Sequence, residues 1–278
     1  MKNPTYYNGT ITPYDSAVIP LSDRSIFFAD SVYEVMIGRG EKVYQFDEHF
    51  TRLCNNCTAL GLDMDITPTM LSEIICELLS LSSAKEFSVY VQLSGNSEKR
   101  SHLRSDQKAN ILVYINEMSV PNKPNKIRAI TLPDMRYEYC NLKTTNLLPA
   151  VLSMNKASQK NADIAIFHKN LWITECTHAN IAVLKDGVLK TPPLSNRILP
   201  GITRRTLLEV CKEGSVPYRE EELSVSDLFS SDAVIVSSTT KLLQICTEID
   251  KIPLPPIADN TVYRLFGDIY ADFLSKTR

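Results

Sequence analysis

Residues 140–152, CNLKTTNLLPAVL, place a lysine beside an apolar run. Lys143 comes just before Thr144, Thr145 and Asn146, which can each cap a helix, and the leucines and valine that follow predict that helix. A lysine near a core costs desolvation energy unless it is paired, neutralised or covalently bound. Lys143 is therefore either a surface charge in a strand-to-helix connection or a buried amine that forms an imine with a carbonyl compound. Local sequence alone favours the surface charge.

The segments on either side of this stretch predict an α+β fold. SVYEVMIG and KVYQF, joined by the turn RGE, have the composition of a β-hairpin. Helical periodicity runs from about Asp47 to Gly61 and from about Thr67 to Ser82. FSVYVQLSG and ANILVYIN, rich in β-branched and aromatic residues, predict strands of the same sheet. Because strands lie in neighbouring runs, the pattern differs from the strict βαβ alternation of a dinucleotide-binding fold.

A linker divides the chain into two predicted domains. SVPNKPNK, residues 119–126, contains two prolines and two asparagines, so we expect an N-terminal α+β domain at 1–118 and a C-terminal domain at 127–278. The second half has a strand KIRAITL, a helix beginning in TNLLPAVLSMNKASQKN, and the short strands DIAIFH, LWITE, NIAVLK, GVLKT and AVIVSS. A short helix, TRRTLLEVCKEG, ends at Gly214, and a longer amphipathic helix follows it near the end of the chain. This pattern indicates a β-rich, barrel-like domain with flanking helices.

Bulk composition argues against several classes of function. Hydrophobic residues make up 44% of the 278 residues, which is normal for a protein with a packed core. With 30 basic and 32 acidic side chains, no strong field of either sign would attract nucleic acid or anionic lipid. No apolar run approaches the roughly 20 residues of a membrane span, and the N-terminus lacks a signal-peptide h-region. We therefore predict a cytoplasmic protein that binds neither nucleic acid nor membrane.

The cysteines favour the same compartment. Seven cysteines, an odd number spread along the chain, do not suggest a disulfide framework. Cys54 and Cys57 have the spacing of a metal-binding pair, but no second pair and no paired histidines complete a site. Both lie inside a helical pattern, so we interpret them as core residues and expect no metal.

Further segments carry candidate ligand-binding residues, each with an ordinary alternative. Glu175 ends the strand LWITE and would otherwise be a glutamate in water. Gly201 and Thr203 in RILPGITRR stand at a helix N-terminus, whose free N–H groups suit phosphate, although a plain capped helix looks the same. The hydroxyl run at 237–240 follows a buried strand and either binds a ligand or satisfies turn backbone. Arg52 fits an ordinary salt bridge on its helix surface.

In chain order, DRSIFFADSVYEV, DEHFTRL, LKTTNLLPAVL, ITECTHAN, LPGITR and SSTT resemble the motifs of the fold-type IV pyridoxal-phosphate enzymes. That family comprises D-amino-acid aminotransferases, branched-chain aminotransferases and aminodeoxychorismate lyases. The resemblance covers nearly the whole chain. It implies a two-domain fold, with a small N-terminal α/β domain and a larger C-terminal pseudo-barrel domain, and pyridoxal 5′-phosphate as the cofactor.

The resemblance also implies roles for individual residues. Lys143 matches the lysine that forms an imine with the cofactor, which reverses the local expectation of a surface charge. Glu175 matches the carboxylate that keeps the pyridine nitrogen protonated and so maintains the electron sink. Leu199 matches the apolar residue behind the ring, and Arg136 matches a basic residue near the lysine. The phosphate cradle corresponds to Arg52, Ile202 through its backbone N–H, Thr203, Ser238 and Thr239.

Substrate contacts are implied by further matches. Tyr33 in SVYEV matches the tyrosine on the substrate side of the site. Arg100 and His102 in NSEKRSHLRS reproduce the R-x-H pair that, in D-amino-acid aminotransferases, reaches from the partner subunit to the substrate α-carboxylate. Arginine supplies a planar fork matched to a carboxylate, and histidine adds a donor. The ordinary alternative is a basic exposed loop. The match implies a homodimer whose active site is completed by the partner chain.

These residues predict a transaminase that moves an amino group between a D-amino acid of the D-alanine type and a 2-oxo acid such as 2-oxoglutarate. Lys143 would take the α-proton and return it to C4′ of the cofactor. One alternative is an aminodeoxychorismate lyase, which releases pyruvate and 4-aminobenzoate. A branched-chain L-amino-acid aminotransferase, which should lack the Arg100–His102 pair, is another. A non-catalytic cofactor-binding protein on the same scaffold is the third.

Some positions depart from the pattern of D-amino-acid aminotransferases. Cys176 and His178 stand where glycine and serine are typical, and a cysteine after the glutamate also occurs in aminodeoxychorismate lyases. Ala29 and Ser31 replace the usual glycines. The loop before Arg100 is one residue longer than expected, which would shift both donors of the R-x-H pair.

Overall fold

The protein is described by a computed structural model over residues 1–96, 99–104, 108–257 and 260–278. Over these residues the chain forms two compact units. Unit 1 comprises Met1–Val120, Leu142–Asn146 and Phe273–Arg278, and unit 2 comprises Pro121–Asn141 and Leu147–Asp272. Each unit contains helices and a sheet, so the predicted α+β fold is confirmed.

Unit 1 is an antiparallel sheet packed by helices. Its strands are β1 (Pro4–Tyr7), β2 (Thr10–Pro13), β3 (Ser31–Arg39), β4 (Lys42–Val43), β5 (Glu86–Ser94) and β6 (Asn110–Glu117). Its helices are α1 (Ser25–Phe28), α2 (Phe46–Leu60) and α3 (Pro68–Ser80), with a 3-10 turn at Tyr14–Ser16. The strands follow the order β2-β1-β6-β5-β3-β4, so the long strands β3, β5 and β6 are neighbours.

The core of unit 1 lies between this sheet and the helices α2 and α3. Leu53 and Cys57 repeat at a helical spacing on α2 and are both buried, as the apolar stripe predicts. Thr67 caps α3, since its hydroxyl accepts the Met70 N–H at 3.2 Å. The sheet and α3 contribute the other main core residues, namely Val32, Met36, Leu71, Ile75, Leu78, Phe87, Val89, Val91 and Val113.

Unit 2 is a mixed sheet with flanking helices. Its strands are β7 (Asn125–Pro133), β8 (Ile164–Lys169), β9 (Trp172–Cys176), β10 (Asn180–Lys185), β11 (Val188–Thr191), β12 (Tyr218–Glu220), β13 (Ala233–Ser238), β14 (Leu242–Ile249) and β15 (Ile252–Pro253). Its helices are α4 (Leu148–Gln159), α5 (Ile202–Glu213), α6 (Val225–Ser230) and α7 (Thr261–Lys276), the last continuing into unit 1 after Asp272. The order is β12-β11-β10-β13-β14-β7-β8-β9, with β15 on β14.

Strands β8, β10 and β13 of unit 2 carry polar side chains only at their ends. β8, β10 and β13 are buried almost throughout, as their runs of isoleucine, valine and alanine predict for strands covered on both faces. Polar residues appear where strands begin or end: Glu175 near the end of β9, Asn180 at the start of β10, and Ser237 near the end of β13. Glu175, Asn180 and Ser237 thus place polar groups at the ends of these strands.

The predicted C-terminal helix is confirmed as α7. Its apolar stripe is buried along its length, at Val262, Leu265, Phe266, Ile269 and Phe273. None of the helices within the described residues is long and apolar enough to cross a membrane.

The division into units differs from the sequence-based domain boundaries. Residues 142–146 and 273–278 belong to unit 1. The sequence-based boundaries place both segments in the C-terminal domain. The backbone carbonyl of Lys143 accepts the Tyr33 N–H at 2.9 Å, which joins the first segment to β3. The ring of Phe273 meets that of Tyr44 edge-on, with centroids 5.5 Å apart. These contacts link positions far apart in sequence, so no local pattern reveals them.

The predicted linker, residues 119–126, is only partly irregular. Unit 1 ends at Val120, whose N–H donates to Glu86 Oε2 at 2.8 Å, and β7 begins at Asn125. The irregular connection between β6 and β7 therefore covers residues 118–124. It includes Pro121 and Pro124, which lack the N–H that a strand ladder needs.

Helix α4 begins later than its capping residues predict. The sequence favours a start at Thr145 or Asn146, whereas α4 begins at Leu148 and no side chain caps it. The Thr145 hydroxyl lies 2.5 Å from Ser31 Oγ, and Asn146 Nδ2 donates to the Ala29 carbonyl at 3.3 Å. The expected capping groups are thus used to attach the segment 142–146 to unit 1.

Candidate active site

Lys143 lies in unit 1 on the short segment that pairs with β3. Its side chain is half-buried, and Nζ lies 4.3 Å from the centroid of the Tyr33 ring. The amine forms no ion pair with any residue that the structure describes. A lysine held over an aromatic ring and away from carboxylates keeps its nitrogen accessible for chemistry.

A buried ionic cluster made of Glu34, His49 and Arg52 lies in the same unit. Arg52 forms a bidentate pair with Glu34, with Nε–Oε1 at 2.6 Å and Nη2–Oε2 at 2.8 Å, and His49 Nδ1 lies 2.7 Å from Oε2. Burial opposes ionisation of Glu34, but hydrogen bonds from Arg52 and His49 outweigh it and lower its pKa to about 2. Burial, joined by the charges of Arg52 and Lys143, holds the pKa of His49 below its ordinary value. Glu34 therefore fixes the guanidinium that was predicted to bind phosphate.

This cluster predicts acid sensitivity. The depressed pKa means that Glu34 stabilises the fold fully above its unfolded pKa, near 4.5, and that this stability is lost as the pH falls towards about 2. We expect Glu34→Gln to be less stable than the parent at pH 7 by about 3 kcal/mol, and the difference to shrink below pH 4.5. Urea unfolding at a series of pH values measures it, with Glu117→Gln, an exposed position on β6, as the control. A difference that stays constant down to pH 2 would contradict the assignment.

Glu175 is held by donors within unit 2. Arg136 Nη1 donates to Oε1, and Oε2 accepts the backbone N–H of Leu199 and Nδ2 of Asn180, both at 3.1 Å. Arg136 also pairs with Asp134, with Nη2–Oδ2 at 2.7 Å, so its charge is shared between two carboxylates. Burial consequently prevails over Arg136 and raises the pKa of Glu175 to about 7. Glu175 is a buried carboxyl group of fixed orientation that titrates near neutrality.

Asn180 joins Glu175 to the turn before α5. Its Nδ2 also donates to the Leu199 carbonyl at 2.9 Å, so the side chain contacts Glu175 and Leu199 together. A Cβ atom on Gly201 would lie 1.9 Å from Asn180 Oδ1, so only glycine allows this approach. The sequence motifs indicate Leu199 and Gly201 but not Asn180, whose only signal is its place in THAN, shortly after the strand of Glu175.

The N-terminus of α5 has the properties of an anion site. No side chain caps it, and the first residues of the helix, Ile202 and Thr203, are buried. The hydroxyls of Thr203, Ser238 and Thr239 form no hydrogen bond to another described residue. Helix α5 packs on β13, which ends at Ser238. Unused N–H and hydroxyl donors at a helix N-terminus fit a phosphate group.

Arg100 and His102 meet at one aromatic ring in unit 1. The Arg100 Cζ atom lies 5.2 Å from the centroid of Phe28, and the His102 ring centroid lies 5.3 Å from it. The structure therefore brings the predicted R-x-H pair together. The predicted extra residue falls in a loop whose positions 97–98 lie outside the described residues.

Comparison with known proteins identifies the family. The family model for amino-transferase class IV matches residues 31–249. The D-alanine aminotransferase of Listeria monocytogenes serotype 1/2a (strain 10403S) is 32% identical over 251 residues, which cover 88% of this chain and 87% of that protein. This chain belongs to the class IV aminotransferase family.

Solved structures have the same fold as this class IV aminotransferase. The branched-chain aminotransferase from the thermophilic archaeon Thermoproteus uzoniensis, solved with norvaline, aligns with a TM-score of 0.88 at 20% identity, over 98% of this chain and 95% of that one. A putative 4-amino-4-deoxychorismate lyase from Legionella pneumophila subsp. pneumophila str. Philadelphia 1 aligns with a TM-score of 0.85 at 23% identity, over 93% and 97%. Class IV aminotransferases are pyridoxal-phosphate enzymes that act on amino acids and 2-oxo acids.

The predicted site residues of this class IV aminotransferase fall into two sets. Those in unit 1 are Tyr33, Arg52, Arg100, His102 and Lys143. Those in unit 2 are Arg136, Glu175, Leu199, Ile202, Thr203, Ser238 and Thr239. Two of these residues are paired with side chains that the motifs do not place beside them: Arg52 with Glu34 in unit 1, and Glu175 with Arg136 in unit 2.

Proposed function

We propose that this class IV aminotransferase transfers an amino group from a D-amino acid, of the D-alanine type, to a 2-oxo acid such as 2-oxoglutarate, with pyridoxal 5′-phosphate as its cofactor. The observation that carries the proposal is the meeting of Arg100 and His102 at Phe28. A guanidinium fork and an imidazole donor at one place suit the α-carboxylate of an amino acid. The identity of 32% to a D-alanine aminotransferase supports the same substrate class.

Each unit carries residues that suit a part of the cofactor. Lys143 would bind its aldehyde, because its amine is half-buried and forms no ion pair with the described residues. In unit 2, the open N-terminus of α5 and the nearby hydroxyl groups suit the phosphate, through Ile202, Thr203, Ser238 and Thr239. In unit 1, Arg52 offers a guanidinium that Glu34 holds in a fixed orientation. Leu199, tied to Glu175 through its N–H, would lie behind the ring. When bound, pyridoxal phosphate supplies an electron sink for the electrons of the substrate Cα–H bond.

Lys143 is the proton carrier of the proposed reaction. Its nitrogen would take the proton from the substrate Cα and return it to C4′ of the cofactor. Contact with the Tyr33 ring limits where Nζ can move, since the two lie 4.3 Å apart. A lysine restrained in this way serves as base and then as acid on one side of the substrate.

Glu175 would accept the hydrogen bond of the protonated ring nitrogen. Its carboxyl group is buried and oriented by Asn180 and the Leu199 N–H, so little reorganisation is needed. Because Arg136 shares its charge with Asp134, Glu175 retains attraction for a further positive group. In a water-poor site that attraction is stronger than in solvent.

Arg100, His102 and Tyr33 would decide which enantiomer reacts. A carboxylate held by Arg100 and His102 would fix the other substituents of Cα, so the Cα hydrogen would face Lys143 in only one of the two enantiomers. We propose that the active form is a homodimer in which Arg100 and His102 of one chain bind the substrate carboxylate in the site of the partner chain. Tyr33 lines the substrate side within its own unit, next to Lys143.

An aminodeoxychorismate lyase is the second candidate. The observation that favours it is Cys176, which directly follows Glu175 and is buried at the end of β9. A cysteine at this place also occurs in aminodeoxychorismate lyases. The same Lys143 and cofactor would serve that reaction, which would release pyruvate and need no 2-oxo acid acceptor.

Absorbance of the cofactor-bound protein tests the proposal. We expect the band of the bound aldehyde to convert to that of the pyridoxamine form when D-alanine is added, and not when L-leucine is added. Arg100→Ala should raise the KM for D-alanine about ten- to a hundredfold, the worth of a charged hydrogen bond. Arg39→Ala, an exposed arginine of the same unit, is the matched control and should leave KM unchanged.

If L-leucine but not D-alanine converts the absorbance band, the result would favour a branched-chain L-amino-acid aminotransferase. A cofactor-bound protein that responds to neither amino acid would favour the lyase. Unchanged KM in Arg100→Ala would remove the carboxylate role from that residue.

A further inference from the structure

We propose that Arg24, Asp30 and Arg104 form a positioning cluster, the Asp30 cluster, which fixes the backbone of residues 101–103 and so orients Arg100 and His102 for the substrate carboxylate. The proposal rests on the proposed function, since it concerns how the R-x-H pair is held. None of the three residues would touch the substrate. All of them belong to unit 1.

Asp30 is the centre of the cluster. Its Oδ2 accepts Arg24 Nε at 2.7 Å and Arg104 Nε at 3.1 Å, and its Oδ1 accepts Arg104 Nη2. Burial opposes ionisation, but the hydrogen bonds from Arg104 and Arg24 outweigh it and hold the pKa of Asp30 below its ordinary value. A Cβ atom on Gly95 would lie 2.8 Å from Oδ2, so the strand end beside the cluster admits only glycine without a shift.

Arg24 connects this centre to the loop. Its side chain is only 6% exposed, and its Nη1 donates to the Ser101 carbonyl at 2.6 Å. The same guanidinium reaches the Leu103 carbonyl at 3.4 Å and, through Nη2, the His102 carbonyl at 3.3 Å. The Leu103 side chain is 84% exposed and cannot anchor the loop in a core. The backbone of the R-x-H segment is therefore held by a buried arginine.

Arg104 attaches the other end of the segment to a helix. Its Nη1 donates to the carbonyls of Leu60 and Gly61, the latter at 2.8 Å, at the C-terminus of α2. A cation at a helix C-terminus also interacts favourably with the helix dipole. Together with the bonds to Asp30, these contacts fix the end of the loop just after His102.

Phe28 links the cluster to the groups that would bind substrate. The Arg24 Cζ atom lies 4.6 Å from its ring centroid, and Arg100 and His102 pack on the same ring. Movement of Arg24 would therefore disturb both the carbonyls and the ring that support the pair. Carboxylate recognition by a guanidinium fork depends on orientation, so a displaced loop should lose carboxylate selectivity before it loses chemistry.

The test compares a substrate that has the carboxylate with one that lacks its charge. The second-order rate constant of a single turnover is measured for D-alanine and for D-alaninamide with the cofactor-bound protein. The ratio is the constant for D-alanine divided by that for D-alaninamide. We expect Arg104→Gln to lower the ratio about tenfold, chiefly through D-alanine, because a small misplacement weakens oriented binding. Arg39→Gln, which loses an exposed partner of Glu86 at 3.9 Å, should leave the ratio unchanged.

Arg24→Lys provides a second variant if Arg104→Gln folds poorly. Lysine keeps the charge beside Asp30 but cannot donate to three carbonyls in a fixed plane, so the ratio should again fall. Folded variants whose ratios equal that of the parent would overturn the positioning role. Arg100→Ala distinguishes failure of the proposed carboxylate role of Arg100 from failure of the positioning role of the Asp30 cluster. If it leaves the ratio unchanged, both the carboxylate role and the cluster's purpose fail, and if it alone lowers the ratio, only the cluster's role fails.

Discussion

Replacing Lys143 with alanine is expected to lower transamination turnover about a thousandfold or more, since in the proposed function this one residue supplies both the attachment of the cofactor and the proton transfer. Alanine offers neither an amine nor a titratable group. The protein should also lose the absorbance band of covalently bound pyridoxal phosphate. The readouts are the rate of 2-oxo acid formation from D-alanine and the spectrum after the protein is mixed with the cofactor and desalted.

The fold should survive this change. Lys143 is half-buried and forms no ion pair among the described residues, and its backbone carbonyl, which alanine also has, makes the bond to the Tyr33 N–H. We therefore expect the melting temperature of the cofactor-free protein to move by less than about 2 °C. Lys42→Ala on β4, an exposed lysine of the same unit, is the matched control for both readouts. Turnover within tenfold of the parent would mean that Lys143 is a surface lysine after all.

Glu175→Gln should produce the next largest loss, about a hundred- to a thousandfold in turnover, the range typical for removing one pre-organised electrostatic group. The amide cannot stabilise a positive ring nitrogen, although it keeps the size of the side chain. Cofactor attachment at Lys143 should persist, so the absorbance band of the bound aldehyde remains while its conversion by D-alanine slows. This combination distinguishes Glu175→Gln from loss of the cofactor.

Stability should change little near neutral pH. Burial raises the pKa of Glu175 to about 7, so it disfavours the charged form in the cofactor-free protein and a neutral amide replaces the carboxyl group at low cost. Arg136 keeps its pair with Asp134 at 2.7 Å. Glu221→Gln, which removes a partly exposed carboxylate paired with Lys190, is the control and should retain full turnover. Full turnover in Glu175→Gln would contradict its assignment opposite the ring nitrogen.

Regular elements are accessible from sequence because their signals are local. The stripe through Leu53 and Cys57 repeats every four residues, so the pattern places α2 within one residue at each end. The β-branched and aromatic runs likewise identify β5 and β6. In these segments propensity and burial favour the same structure, and no distant contact is needed to decide it.

Contacts between residues that are far apart in sequence cannot be predicted from local patterns. Glu34 looks like an ordinary polar residue in an alternating strand, but it is fully buried because Arg52 and His49 arrive from α2. Thr145 looks like a helix cap, but its hydroxyl bonds to Ser31 across more than a hundred residues. A hydroxyl or carboxylate satisfied by a distant partner has the same local sequence as one satisfied by a neighbour.

Sequence motifs predict those candidate site residues that lie within the motifs. They do not predict residues that belong to the site only through three-dimensional contacts. The order of the motifs along the chain predicts roles for Lys143 and Glu175. Local sequence alone would not predict these roles. The resemblance does not indicate Asn180 as the side chain that ties Glu175 to Leu199, since those bonds depend on where β10 begins relative to the α5 turn. It also assigns no role to the Asp30 cluster. Arg24 and Asp30 lie within the motif DRSIFFADSVYEV, and Arg104 looks like a charge of a basic loop.

The three separate segments of unit 1 have a consequence for biosynthesis. A ribosome releases the residues up to Val120 first, but the stretch around Lys143 and the segment from Phe273 join the unit only later. Tyr44 meets its edge-on partner only once Phe273 has left the exit tunnel. The N-terminal part of unit 1 is therefore synthesised before two segments that pack with it, and Lys143, on which activity would depend, is synthesised before the second of them.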